Sequence, residues 1–209
     1  MEEVLTVYHR PYSAAHPVVC FDEAGKQHLQ ECCQPLPLEA GQPRRYDYTY
    51  ERAGVSNLFM LFAPLESWRH VKVTDQHTML DFARVMKELS DDHFPHAEQI
   101  TVVLDNLSTH KPAALYQAFA PHEARRLLDR LVFVYTPVHG SWLNMAEIEL
   151  SVLQRQGLDR RIPDQARLKK EVAAWQEQRN DAACTVDWRF TTDEARIKLK
   201  RLYPSVNKN

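Results

Sequence analysis

The feature that most restricts the fold is a set of short apolar runs, rich in β-branched and aromatic residues, separated by segments of helical period. Val18-Val19-Cys20-Phe21, Ile100-Thr101-Val102-Val103-Leu104 and Leu131-Val132-Phe133-Val134-Tyr135 are too short for buried helices and read as buried strands. Residues 57–63 are apolar after Asn57, residues 68–74 alternate with period two, and a turn at Pro64 joins these two strands. Helical patterns cover residues 78–89, 112–128 (one helix or two, since Pro121 interrupts it) and about 142–156. Two more cover residues 163–180, with Pro163 in the first turn, and 192–202, capped by Thr191 or Thr192. The order β, β, β, α, β, α, β, α, then further helices, predicts an α/β fold with a mixed sheet flanked by helices and extra C-terminal helices. Residues 1–17 read as a lead-in, 18–156 as the core, and 157–209 as a basic helical extension packed on it. Asp22-Glu23-Ala24-Gly25 reads as a turn closing the first strand, and residues 26–45, with Pro35, Pro37 and Pro43, as an irregular insertion. Tyr46, Tyr48 and Tyr50 fall on an edge strand or arm, as an ordinary strand face or a surface for stacking single-stranded bases.

A chain of 209 residues suits one large domain or two small ones, and no apolar run is long enough to cross a bilayer. The start is acidic where a secretory signal would be basic and then apolar, so a cytoplasmic protein with no membrane partner is expected. Cys20, Cys32, Cys33 and Cys184 include no Cys-x-x-Cys pair and suggest neither a zinc site nor a disulfide framework. The net charge of −2 does not mark a nucleic-acid binder, but its distribution is uneven. Residues 155–209 carry 13 Lys and Arg against 8 Asp and Glu, while the preceding part is acidic. Arg155, Arg160, Arg161, Lys169 and Lys170 in that basic segment either track phosphates or form a solvated helical face.

Two of the expected strands end in an aspartate, Asp22 and Asp105, and functional groups in open sheets collect just beyond strand ends. If the strands are neighbours, the two carboxylates repel, which raises one pKa or recruits a hard cation such as Mg²⁺ or Mn²⁺. The helix after the last strand offers a third carboxylate, Glu147 or Glu149. Leu143 and Leu150 flank the first at helical spacing, and Ala146 and Leu153 flank the second, so periodicity leaves both open. Other chemistries lack their motifs. There is no Gly-x-Ser-x-Gly elbow around Ser108, no His-Glu-x-x-His helix, and no nucleotide-binding glycine loop.

Three segments together resemble the DDE transposases of the mariner-like superfamily, in its bacterial insertion-sequence branch (insertion-sequence 630 type). They are Val18 through Glu23, Val103-Leu104-Asp105-Asn106-Leu107-Ser108-Thr109-His110, and Tyr135 through Glu147 with its Leu143-Asn144-Met145-Ala146-Glu147 run. The tail Val186-Asp187-Trp188-Arg189-Phe190-Thr191-Thr192 extends the likeness. The resemblance implies an RNase H-like fold and a transposase catalytic domain. Asp22, Asp105 and Glu147 would be catalytic metal ligands, Glu147 being chosen over Glu149 because the family's third acid follows Leu-Asn-x-x. Asn106, His110, His139 and Asn144 would act beside the ligands or contact DNA. It implies two Mg²⁺ or Mn²⁺ ions, no nucleotide, and DNA as partner, both transposon ends and target. It is compatible with a homodimer and with association with the nucleoid of a bacterial cell. Only 17 residues precede the first strand, too few for the family's helix-turn-helix reader, so end recognition is expected from a separate domain or a full-length transposase. Asp105 and Glu147 also stand farther apart than is familiar in mariner-like relatives. Two other readings remain: a non-catalytic remnant that binds DNA or a partner, and an RNase H-type nuclease.

Overall fold

The five expected strands form one sheet in the computed structural model, which describes residues 1–33, 40–41, 48–138, 140–186 and 188–203. They are β1 (Val18–Glu31), β2 (Tyr50–Ala63), β3 (Trp68–Thr74), β4 (Ile100–Leu104) and β5 (Leu131–Tyr135), in spatial order β3-β2-β1-β4-β5. β1–β2 and β2–β3 pair antiparallel, β1–β4 and β4–β5 parallel. The sheet is therefore mixed, and β1 is the hinge between its two halves.

Helices cover both faces, which explains why the central strands are apolar runs while only the edge strand β3 alternates. On one face, Val19, Phe21, Phe59, Leu61, Val102 and Leu104 pack against α2 (Met79–Glu88), α3 (Ala113–Ala118) and α4 (Pro121–Arg130) through Phe82, Met86, Leu115 and Leu127. On the other, Cys20, Met60, Phe62, Val71 and Val103 pack against α1 (Glu2–Tyr8), α5 (Met145–Gln156) and α6 (Gln165–Asp181). The lead-in contributes Val4, Leu5, Val7 and Tyr8 to this second core. α7 (Thr192–Lys198) adds Ala195, and Arg196 pairs with Glu2 of α1.

The structure departs from the sequence reading in several places. β1 does not turn at Asp22 but runs on through Gly25 to Glu31, because Asp22, Ala24 and Gly25 stay registered with Met60, Leu58 and Asn57 of β2. The first part of the expected insertion, up to Glu31, is therefore strand, and Tyr46, Pro35, Pro37 and Pro43 lie outside the described residues. Pro121 splits the 112–128 pattern into α3 and α4 and occupies the first turn of α4. A 3-10 turn, Ser141–Leu143, precedes α5, which Asn144 caps. Asp164, not Pro163, starts α6 by accepting the Arg167 N–H. The last helical stretch is α7, capped by Thr191, followed by a 3-10 turn at Lys200–Leu202. Cys20, Cys32 and Cys184 are free thiols. Among the described residues no helix is long and apolar enough to cross a membrane.

Candidate active site

The parallel register brings the first two acids together. Cys20 pairs with Val103, and Asp22 and Asp105 each stand two residues further along their chains. Side chains alternate along a strand, so both acids continue the face of Cys20 and Val103, the face that α5 covers. Asn144 delivers the third acid. Its Oδ1 accepts the Ala146 N–H at 3.1 Å and caps α5, while its Nδ2 donates to the Phe21 carbonyl at 2.8 Å. One buried side chain thus ties the first turn of α5 to the residue before Asp22. Glu147 projects from that first turn and is exposed. Tyr8 reinforces the approach by donating to the Leu143 carbonyl at 2.7 Å. Asn144→Ala removes the cap and leaves a buried carbonyl unpaired, so a loss of about 2 kcal/mol is expected. An unchanged thermal midpoint by circular dichroism would contradict this account.

The electrostatics place all three acids in one neighbourhood. Burial pushes Asp22 up to about 6, and the charges of Asp105 and Glu147 push in the same direction. The Glu23 N–H, 2.9 Å from Asp22 Oδ1, and the nearby His110 pull the other way. Asp105 moves down instead, chiefly because His110 Nδ1 lies 2.6 Å from its Oδ1, with the Leu107 N–H on the same oxygen at 3.2 Å. Burial lowers His110, but the hydrogen bond with Asp105 and the nearby carboxylate of Glu23 outweigh that and raise it overall.

Glu149 has a different task. It is buried, with Oε1 2.9 Å from Arg69 Nε and hydrogen bonds from Arg179 Nε and Nη2 at 3.1 and 2.9 Å. The two glutamates that periodicity could not separate therefore differ completely in environment. Asn106 donates to the Thr136 carbonyl and tethers the two loops after β4 and β5. His139 lies outside the described residues. Arg155, Lys169 and Lys170 are exposed, Arg160 pairs with Glu171, and Arg161 pairs with Glu31. Lys26, Arg155, Arg160 and Arg161 line one surface cavity of about 770 Å³, to which Lys169 and Lys170 do not contribute.

Sequence reasoning missed Glu23, Arg69 and Arg179. A signal existed for Arg69, because it shares the strand parity of Val71 and Val73, which face the core, and so points inward with them. Glu23 sits beside Asp22 in a segment already singled out, but its parity sends it to the opposite face.

Among the described residues no three His, Cys, Asp or Glu side chains already form a cluster fit to hold a metal ion. The donor chemistry nonetheless suits a hard divalent cation: three carboxylates, one of them destabilised as an anion by burial and then by its two neighbours. The nearby thiol, Cys20, is buried against the Tyr8 hydroxyl and pushed up to about 12, so it is not a competing soft ligand.

No curated protein matches the sequence. Solved chains resemble the fold. The Mos1 mariner paired-end complex with Mn has a TM-score of 0.60 at 14% identity, over 87% of this chain and 54% of that one. The corresponding complex with Mg gives 0.58 at 15%, over 88% and 54%, and the Mos1 strand transfer complex 0.57 at 14%, over 88% and 59%. The chain thus spans a little over half the length of those proteins, and shares with their catalytic domain an RNase H-like fold. The family model described as DDE superfamily endonuclease matches residues 17–169, which include Asp22, Asp105 and Glu147. The chain belongs to the DDE superfamily of endonucleases.

Proposed function

We propose that this chain is the catalytic domain of a transposase of the mariner-like superfamily, bacterial insertion-sequence 630 type, that cuts and rejoins DNA phosphodiesters with divalent cations. What supports the reading is the family match, together with the parallel register that sets Asp22 beside Asp105 and the Asn144 tie that docks the first turn of α5, which carries Glu147, on β1. Three ionised carboxylates would repel a DNA phosphate, so the site suits its substrate only once cations lie between them. Asp22, Asp105 and Glu147 would hold Mg²⁺ or Mn²⁺, and the solved Mos1 complexes with Mn and with Mg support that choice. A pair of such ions supplies activation of the attacking oxygen and stabilisation of the leaving one in an in-line displacement.

The residues of the chain do the rest. Asn144 keeps the first turn of α5, which carries Glu147, docked on β1 beside Asp22. The N-terminal end of α5 adds its partial positive charge where the anions gather. Asn106 holds the loop after β4 against the loop after β5. Arg155, Arg160 and Arg161 would take phosphates flanking the cleavage point, with Lys169 and Lys170 farther along the basic extension. Water is the nucleophile at the transposon end, and the freed 3′-hydroxyl is the nucleophile on target DNA. The partners are those DNAs, a second copy of the chain, and a separate module that reads the ends.

Supercoiled plasmid with Mn²⁺ tests the reading directly. Nicking that chelator abolishes is expected, and Asp22→Asn, Asp105→Asn and Glu147→Gln should each reduce it to background in a folded protein. Chelator-insensitive nicking would exclude cation chemistry, and a folded parent chain that never cuts would point to a non-catalytic remnant.

A further inference from the structure

His110 is only 1% exposed, yet both its ring nitrogens face carboxylates. Nδ1 lies 2.6 Å from Asp105 Oδ1, and Nε2 lies 3.6 Å from Glu23 Oε2. His110 Nε2 and Glu23 Oε2 are also two of the buried polar atoms left without a hydrogen-bond partner among the described residues. They point at each other across a gap slightly too long for a hydrogen bond. The ring itself has little freedom. It meets Phe21 edge-on at 5.0 Å and Phe82 at 5.0 Å, and the Tyr135 hydroxyl donates to the His110 carbonyl at 2.8 Å.

The parity of β1 makes this arrangement informative. Asp22 continues the face covered by α5, whereas Glu23 continues the face of Phe21, where the α2 and α3 core lies. His110 packs in that opposite core and reaches round the end of β4 to Asp105. Consecutive acids of β1 thus approach the same site from the two sides of the sheet. Both hydrogen bonds to Asp105 fall on Oδ1, so Oδ2 is the oxygen left for a ligand.

We propose that Glu23 is a positioning residue that acts through His110 to fix the carboxylate of Asp105 for cation binding. The inference rests on Asp105 being a cation ligand. Glu23 does not touch the cation or the DNA. It holds the imidazole, the imidazole holds Oδ1, and Asp105 is presented in one rotamer. Glu23 is only partly buried, but its Oε2 is buried with no hydrogen-bond partner among the described residues, and this role explains why that oxygen is held against His110.

The test measures Mn²⁺ affinity from the free-ion electron paramagnetic resonance signal, alongside the thermal midpoint in chelator. Glu23→Gln is expected to weaken Mn²⁺ binding about tenfold or more with the fold retained. Glu23→Gln combined with His110→Gln should bind no worse than His110→Gln alone, because both changes break one chain. If His110→Gln fails to fold, Glu23→Gln alone decides. Wild-type Mn²⁺ affinity in folded Glu23→Gln, with affinity lost in Asp105→Asn, overturns the proposal and leaves the site reading intact. Wild-type affinity in Asp105→Asn overturns both.

Discussion

With divalent cations removed by chelator near neutral pH, Asp22→Asn is expected to unfold several degrees above the parent protein while cutting no DNA. The reason is the price the fold sets on ionising Asp22, which is pushed to about 6 from an ordinary 3.8, first by burial and then by its acidic neighbours. Between those values the folded state holds a proton that the unfolded state has lost, so the parent's stability falls as pH rises from about 4 to 6 and stays low above that. A rise of this size corresponds to roughly 3 kcal/mol, and for a chain of this length to a midpoint shift on the order of 5–10 °C. Asn at position 22 still accepts the Glu23 N–H but carries no charge to desolvate. The gap between variant and parent should close below about pH 4, where Asp22 is protonated in both states. Added Mn²⁺ should reverse the ranking, because only the parent gains stability from a bound cation. Calorimetry across pH, with and without Mn²⁺, reads all three effects. A variant midpoint at or below the parent's in chelator would mean that Asp22 is not held in a repulsive site.

Glu149→Ala is expected to be among the most destabilising single changes in the chain, by about 3–5 kcal/mol. Glu149 sits between Arg69 of β3 and Arg179 of α6, and Arg69 is fully buried. The other nitrogens of Arg69 are committed: Nη1 to Asn180 Oδ1 at 3.1 Å and Nη2 to the Cys184 carbonyl at 2.7 Å. Removing the carboxylate therefore strands a cation that cannot swing to water. It also unclamps α5 from β3 and α6, two residues beyond Glu147. Urea unfolding should show a lowered midpoint for Glu149→Ala and almost none for Glu147→Gln, whereas plasmid nicking should be lost in Glu147→Gln at every temperature. Nicking by Glu149→Ala should return on cooling, where the fold survives. Equal stability loss in the two variants would contradict this division of labour.

That division shows what sequence could and could not reveal. The strands were legible because both sheet faces are covered, so each central strand is a self-contained apolar run. The continuation of β1 through Asp22-Glu23-Ala24-Gly25 was hidden, since a segment bounded by the turn-favouring Asp22 and Gly25 is held straight by β2, which lies outside the local window. Glu147 and Glu149 both border the apolar stripe of α5, and what separates them is Arg69, a residue from a distant strand. The Asn144 cap was readable as an Asn before a helix, but its second bond to the Phe21 carbonyl depends on tertiary docking. Glu23 and His110 were hardest, because their pairing runs around a strand end and follows neither the helical nor the strand period.

The pairing of Val18 with Thr101 has a consequence for the order in which this protein can assemble. β1, β2 and β3 are neighbours in the chain and can zip as hairpins early, but they carry just one of the three acids. The second arrives only after a long loop closes to lay β4 beside β1, and the third only after β5 and α5 have joined. Mutual repulsion among the carboxylates is thus met late, when most of the core is already in place to withstand it. A cation drawn to the finished set would act as a latch on a completed fold, not as the nucleus around which the chain gathers.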